Sequence, residues 1–311
     1  MRLSWWKSRN NMASLYTQQS KNIWKTWALM AAFFIVVILI GWFFSFYYNS
    51  PLILYIAVAF SIIMNVASYW WSDKIVLKIT GAKPASREEF FDLYTVTENL
   101  SITAGLPMPR IYVIRDSAPN AFATGRDKEH AVVAATTGLL ELLDRTELEG
   151  VIAHELSHIG NRDMLVSTVV VVLVGFVTLL SDFFIRSLWF GGGNRDRGGG
   201  QLGAILMIVG IVLAILSPII ASLIHLAISR KREFLADASG AILTRYPEGL
   251  ASALRKISQY SRPMMKANHA TAHLFISNPF GRRADGSVGF LTKIFSTHPP
   301  VEERVKALLG R

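Results

Sequence analysis

The sequence predicts a mainly α-helical, multi-pass membrane protein with a small β-sheet, and three observations lead to this fold class. Hydrophobic residues make up 51% of the 311 residues and charged residues only 17%, which is unusual for a soluble protein. Four apolar segments are long enough to cross a bilayer, which requires about 20 residues. The remaining polar sequence forms two blocks, 84–163 and 229–311, in which short strand-like runs alternate with helical patterns.

The four apolar segments form two pairs, and we predict four transmembrane helices. The first pair, 27–48 and 51–72, carries no charged residue, and its connecting turn is so short that the two segments must form a hairpin. The second pair, 165–185 and 202–228, is joined through the glycine-rich stretch 191–200, whose composition is typical of a flexible loop. An alternative for the second pair is a helical hairpin buried in a soluble domain, but so little polar sequence would cover it poorly.

Basic residues beside the spans predict the topology. They precede the first span and follow the second, whereas the turn between these spans has none, so both ends of the hairpin are expected in the cytoplasm. The same rule returns the second hairpin to that side, because Arg162 precedes it and Arg230, Lys231 and Arg232 follow it. The net charge of +10 is therefore attributed to anchoring beside anionic lipid, and no nucleic-acid partner is predicted. Both polar blocks then lie on one side of the membrane, where they can form one domain.

A short motif in the first block carries the chemistry. The chain has no cysteine, so a metal ion must be bound by His, Asp or Glu. His154 and His158 are one helical turn apart in His-Glu-Leu-Ser-His, and their imidazoles can share one cation while Glu155 reaches its bound water. Thr146 and Glu149 match a capping box that predicts the start of this helix. We therefore predict a hydrolytic site with one Zn²⁺ per chain and Glu155 as general base.

A third protein ligand is expected in the second block. Glu233 and Asp237 lie one turn apart on a predicted helix. Glu233 is the candidate ligand, and Asp237 could orient a ligand histidine through its distal N–H. On spacing alone, pairing of both acids with the preceding residues Arg230, Lys231 and Arg232 is an equally good interpretation.

These motifs together resemble the HtpX-type membrane zinc metalloproteases, a family related to the CAAX prenyl endopeptidases. The resemblance covers nearly the full length: His154 to His158 followed by Asn161 and Asp163, then Arg232 to Asp237, and finally Thr297 to Pro300 with Glu303 and Arg304. It implies a zincin-like cytoplasmic metalloprotease domain in which Glu233 is the third ligand. It also places His298 and Arg304 near the metal, where either could stabilise the transition state; the alternative is a helix start with Arg304 paired to a carboxylate.

The resemblance also suggests where substrate binds. Asn120, Ala121, Phe122, Ala123 and Thr124 form a short exposed strand ending in a turn, and extended peptides commonly add to a sheet edge. The sequence alone would leave this segment as an ordinary hairpin strand.

The predicted organisation has five parts. Residues 1–26 are a cytoplasmic segment, 27–72 a transmembrane hairpin, 73–163 the first part of the catalytic domain, 164–228 the second hairpin and 229–311 the second part of the domain. The expected function is quality-control proteolysis of misfolded or damaged membrane proteins at the cytoplasmic side of the cell inner membrane. The alternatives are a prenyl-protein processing endopeptidase and an inactive scaffold that binds unfolded clients.

Overall fold

The computed structural model describes residues 2–173, 175, 230–268, 270–281 and 299–310. The predicted fourth span, the glycine-rich loop 191–200 and His298 lie outside the described residues. The described helices are α1 (Arg2–Tyr47), α2 (Pro51–Trp70), α3 (Ser72–Thr80), α4 (Phe91–Ala104), α5 (Thr137–Leu142), α6 (Arg145–Gly160), α7 (Asp163–Leu173), α8 (Arg230–Thr244), α9 (Pro247–Gln259) and α10 (Val301–Leu309). The strands are β1 (Lys83–Pro84), β2 (Arg110–Ile114), β3 (Ala121–Thr124) and β4 (Val132–Thr136).

Helices α1 and α2 form the predicted N-terminal hairpin. Residues Asn22–Tyr47 of α1 and all of α2 are long and apolar enough to cross a membrane, by length and composition. The two helices approach closely at Gly41, where an added Cβ would lie 2.3 Å from the Ala57 Cβ. Small residues allow such close contact between helices in a bilayer. The predicted cytoplasmic segment 1–26 is not separate from the first span, because α1 begins at Arg2 and continues through it.

The described part of the predicted third span is a protein-packed helix. Helix α7 is eleven residues long, and its valines, including Val166, Val169 and Val170, are fully buried. One part of α7 packs with Met30 of α1, and another packs with Phe122 of β3. This run of β-branched residues is therefore covered by a membrane helix and the sheet. The described residues contain two candidate spans, and the rest of the predicted third span and all of the fourth lie outside them.

The small sheet has the order β1-β2-β4-β3 and separates two cores. Strand β4 is parallel to β2 and antiparallel to β3, with Val133 opposite both Ile111 and Ala123. Its side chains alternate between a core under α4, α6 and α9 and a second core under α3 and α7. Burial on both faces explains why β4 is apolar from Val132 to Ala135.

Strand β3 ends the sheet, but the expectation that it is exposed is wrong. All four of its residues are buried. The Phe122 ring packs edge-to-face on Phe275 at 5.2 Å, and the Ile276 N–H donates to the Ala121 carbonyl at 2.9 Å. A chain segment from the second polar block thus covers part of this edge, and no local sequence pattern around β3 signals that contact.

The cap of α6 also differs from the prediction. Asp144, rather than Thr146, is the N-cap residue, and its side chain accepts from the Glu147 N–H while the Glu147 side chain accepts from the Asp144 N–H. The Thr146 hydroxyl donates to Asp144 at 2.6 Å. The helix therefore begins at Arg145, before the predicted start, because the carboxylate of Asp144 takes the capping position.

Candidate metal centre

Helix α6 presents both motif histidines on one buried face. The rings of His154 and His158 meet edge-to-face with centroids 4.7 Å apart, and their Nε2 atoms are 3.1 Å from each other. Glu155 is buried beside them, and its carboxyl group accepts from the backbone N–H of Ala123 on β3. The four-residue spacing thus brings the histidines together as helix geometry requires.

Helix α8 crosses α6 at the same level and brings acidic side chains to the histidines. At Gly240 an added Cβ would lie 3.1 Å from the His154 backbone nitrogen, so the glycine allows the two helices to pack in close contact. Glu233 and Asp237 are both buried against α6. A Glu233 carboxylate oxygen lies 3.8 Å from His154 Nε2, and the other lies 3.6 Å from His158 Nε2.

The three donor groups fit one metal ion of zinc size. One donor atom from each of His154, His158 and Glu233 lies within 4.8 Å of the others. In a tetrahedral site with bonds of about 2.0–2.2 Å, neighbouring donors are about 3.4 Å apart, close to the separations of 3.1, 3.6 and 3.8 Å between these side chains. Two imidazoles and one carboxylate are also a donor set found in catalytic zinc sites, which leave one position open.

The nitrogen of each imidazole that faces away from the cluster meets a carboxylate. His154 Nδ1 lies 2.9 Å from Asp237 Oδ1, and His158 Nδ1 lies 3.2 Å from Asp163 Oδ2. Because carboxylates only accept hydrogen bonds, each of these contacts favours the tautomer with the proton on Nδ1; the Arg304 guanidinium also lies 3.4 Å from His154 Nδ1. Each Nε2 is thereby left as the atom able to coordinate a metal ion.

Arg304 supports the Asp237 side of this arrangement. It is 1% exposed and donates to both Asp237 oxygens, from Nε at 2.8 Å and from Nη2 at 2.6 Å. Of the two roles expected for Arg304, the geometry favours pairing with a carboxylate, since its guanidinium lies behind His154. Its distance to the Glu233 carboxylate is 4.0 Å.

Burial and charge shift the pKa values of the central groups. Burial lowers the pKa of His154 to about 4 and raises the pKa of Glu155 to about 7. Burial also disfavours the charged form of His158, but the hydrogen bond to Asp163 and the charge of Glu233 outweigh it and raise the pKa to about 9. The lowered pKa keeps the His154 imidazole neutral at pH 7. The carboxylates around His158 favour a positive charge on its imidazole.

Three residues at this centre have no role that the sequence predicts there. Asp163 is buried, contacts His158, and lies 3.5 Å from the Arg232 guanidinium. Asn22 of α1 donates to Asp163 Oδ1, the oxygen that does not contact His158, at 2.7 Å. Asp163 lies five residues after His158, so its position just after the motif helix could have indicated that it contacts this histidine. The contributions of Asn22 and Arg232 depend on long-range packing that has no local sequence pattern.

Comparisons with known proteins identify the family to which this chain is similar. A family model described as peptidase family M48 matches residues 88–311. A protein named "Protease HtpX homolog" from Caldanaerobacter subterraneus subsp. tengcongensis is 47% identical over 95% of this chain and 97% of its own length. A protein of the same name from Pyrococcus furiosus is 49% identical over 81% of this chain and 84% of its own. The solved structure of S. mikatae Ste24p is 18% identical in sequence, and the match covers 94% of this chain and 67% of the Ste24p chain, with a TM-score of 0.48.

Proposed function

The chain belongs to peptidase family M48, as one of its HtpX homologues, and is a metalloendopeptidase; we propose that it uses zinc held by His154, His158 and Glu233 to cleave misfolded or damaged membrane proteins. The observation that carries this proposal is the convergence of three donor groups from α6 and α8, the buried His154 and Glu233 and the partly buried His158, within 4.8 Å of one another. Nitrogen and oxygen donors together with hydrolytic chemistry favour zinc over other divalent ions.

The protein side chains divide the catalytic work. The metal, when bound, polarises the peptide carbonyl and activates water. Glu155 is proposed to take a proton from the attacking water and to deliver it to the leaving amine. Asp237 and Asp163 hold His154 and His158 in orientation through their Nδ1 atoms. Arg304 in turn fixes Asp237, so it is a positioning residue in this scheme.

The substrate is proposed to bind as an extended peptide at the Ala123 end of β3. The Ala121 end of this edge is already paired with Ile276. The Ala123 end lies beside Glu155, to which the Ala123 N–H donates. A peptide added at that end would bring a carbonyl next to the proposed base. Only backbone that is locally unfolded can enter such a position, which favours damaged or misassembled proteins as substrates.

The proposed location is the cytoplasmic side of the cell inner membrane. The N-terminal hairpin has basic residues at both ends and none in its turn, which favours cytoplasmic ends. We retain four spans as the proposed topology. A reporter fused after Arg311 is expected to give a cytoplasmic signal, and one inserted at Gly193 a signal from the opposite side. Cytoplasmic signals from both would show that the second hairpin does not cross the membrane.

The catalytic proposal is tested with the full-length protein in detergent or lipid discs. Glu155→Gln should retain one zinc per chain but cleave an unfolded, unprenylated test protein at least about 100-fold more slowly, because general acid–base catalysis typically contributes about 10²–10⁴-fold. His154→Ala should lose both zinc and cleavage. Glu149→Gln, on the same helix and paired at the surface with Arg145, is the control and should behave as wild type.

Three results would contradict parts of this assignment. Parental activity of Glu155→Gln would refute the role of the base. Zinc bound without turnover of any unfolded protein would indicate a scaffold. Cleavage restricted to prenylated substrate would indicate a processing peptidase.

A further inference from the structure

The inner end of the first membrane helix reaches the proposed metal centre through one side chain. Asn22 of α1 is 3% exposed. Its Nδ2 donates to Asp163 Oδ1 at 2.7 Å and lies 3.4 Å from the Asn161 carbonyl. The second oxygen of Asp163 is 3.2 Å from His158 Nδ1. Two consecutive hydrogen bonds therefore connect α1 to a histidine of the cluster.

The surrounding packing holds Asn22 at this place. Asn22, Thr26, Leu29 and Met30 are buried, and their spacing puts them on one face of α1. Leu29 and Met30 belong to the clusters that contain α7. Trp24, at another angle around the helix, is 72% exposed. One face of α1 is thus docked on the protease domain directly before the helix continues as the first candidate span.

The two histidines have similar but unequal supports. Asp237, behind His154, is held by two hydrogen bonds from a buried guanidinium. Asp163, behind His158, receives the short hydrogen bond from the neutral amide of Asn22, while Arg232 lies farther from the same oxygen, at 3.5 Å. The Asn22 amide therefore makes the shorter of these two contacts with the Asp163 carboxylate.

We propose that Asn22 is a positioning residue for the metal centre, which makes metal affinity depend on how the first membrane helix docks on the protease domain. This inference rests on the proposed ligand set. The carboxylate that receives the His158 Nδ1–H determines the plane of that imidazole, and Asn22 holds this carboxylate in place. When α1 moves relative to α7, Asp163 loses its short hydrogen bond and His158 loses its fixed orientation.

The test measures zinc binding by full-length protein in lipid discs, with a competing chromophoric chelator. Asn22→Leu removes the donor at similar size, and Asn22→Asp keeps the side-chain shape but replaces the donor with an acceptor. Thr26→Val is the matched control, because Thr26 is equally buried on the same face and its hydroxyl donates only within α1, to the Asn22 carbonyl at 3.0 Å. Unfolding midpoints of all variants are measured in excess chelator. Absorption spectra of all variants are recorded after cobalt loading.

Both Asn22 variants are expected to bind zinc about tenfold more weakly than wild type, the lower end of the range for partners outside the ligand set, and to show an altered cobalt spectrum. Thr26→Val should bind zinc as wild type does. Unchanged affinity and spectrum in both Asn22 variants would overturn the inference, as would equal weakening in Thr26→Val. If the wild-type protein binds no zinc, or if His154→Ala binds zinc as tightly as wild type, the proposed ligand set itself is refuted. Wild-type binding that is lost in His154→Ala but unchanged in Asn22→Leu and Asn22→Asp refutes the Asn22 role alone.

Discussion

Replacing Arg304 with methionine should destabilise the metal-free protein by about 3–5 kcal/mol. Arg304 and Asp237 are 1% and 2% exposed and share two hydrogen bonds of 2.8 and 2.6 Å. Removing one partner of such a pair leaves an uncompensated buried charge, which costs about this amount. For a domain of about 150–250 residues the loss corresponds to a fall of roughly 6–20 °C in Tm. Thermal unfolding of the detergent-solubilised protein in excess chelator measures it without any contribution from metal.

The double variant Asp237→Asn, Arg304→Met separates this cause from general packing. Removing both members of this ion pair leaves no stranded carboxylate at position 237, so the double variant should be more stable than Arg304→Met alone. Arg304→Lys should lie between wild type and Arg304→Met, because lysine keeps the charge but cannot donate two bonds in the geometry of a planar guanidinium. If the double variant were less stable than Arg304→Met, or if Arg304→Met unfolded within about 1 kcal/mol of wild type, the stranded-charge argument would be refuted.

Two further predictions concern the ends of α6 and α8. Burial opposes ionisation of Glu147, but hydrogen bonds from Lys256, Ser252 and the Asp144 N–H outweigh this effect and lower its pKa. Glu147→Gln should therefore lower the free energy of unfolding by about 1–2 kcal/mol at neutral pH. This difference from wild type should shrink as pH falls below about 4.3, because a carboxyl group with a lowered pKa stabilises the fold only while ionised; a pH-independent difference in urea unfolding would contradict it. Gly240→Ala should weaken zinc binding severalfold in chelator competition, since its Cβ would lie 3.1 Å from the α6 backbone and displace α8. Unchanged affinity would show that α6 and α8 adjust without moving the donors.

The sequence predicted the local parts of the site well because helix periodicity determines them. Four-residue spacing alone places His154 and His158 on one face of α6, and the same spacing places Glu233 and Asp237 on one face of α8. The N-terminal hairpin was also predictable, since uncharged segments of about 20 residues joined by a two-residue turn have few other solutions. The meeting of α6 with α8 was not predictable from spacing, and the family resemblance was needed to choose Glu233 as a ligand.

Contacts between distant segments explain two of the differences between prediction and structure, and a local ambiguity explains the third. Strand β3 looked exposed because its neighbours in sequence cannot show that Phe275 and Ile276 return to cover it. The described start of the predicted third span, α7, is covered by protein, which its sequence could not show because an apolar run has the same pattern whether protein or lipid covers it. The capping residue of α6 was misplaced because Thr146 and Glu149 match the same pattern as the true pair, Asp144 and Glu147.

The position of Asn22 also bears on which substrates can reach the site. Asn22 starts the first candidate span and is two hydrogen bonds away from His158, so the proposed metal centre lies next to the start of this span. Exposed Trp24 and Trp27 on that helix are residue types that favour the membrane interface. A polypeptide anchored in the same bilayer is held near this level at high effective concentration, whereas a soluble chain must be captured from bulk solution. For equally unfolded cleavage segments, this geometry therefore favours the membrane-anchored substrate, and tethering a test peptide to a membrane helix should lower KM more than it changes kcat.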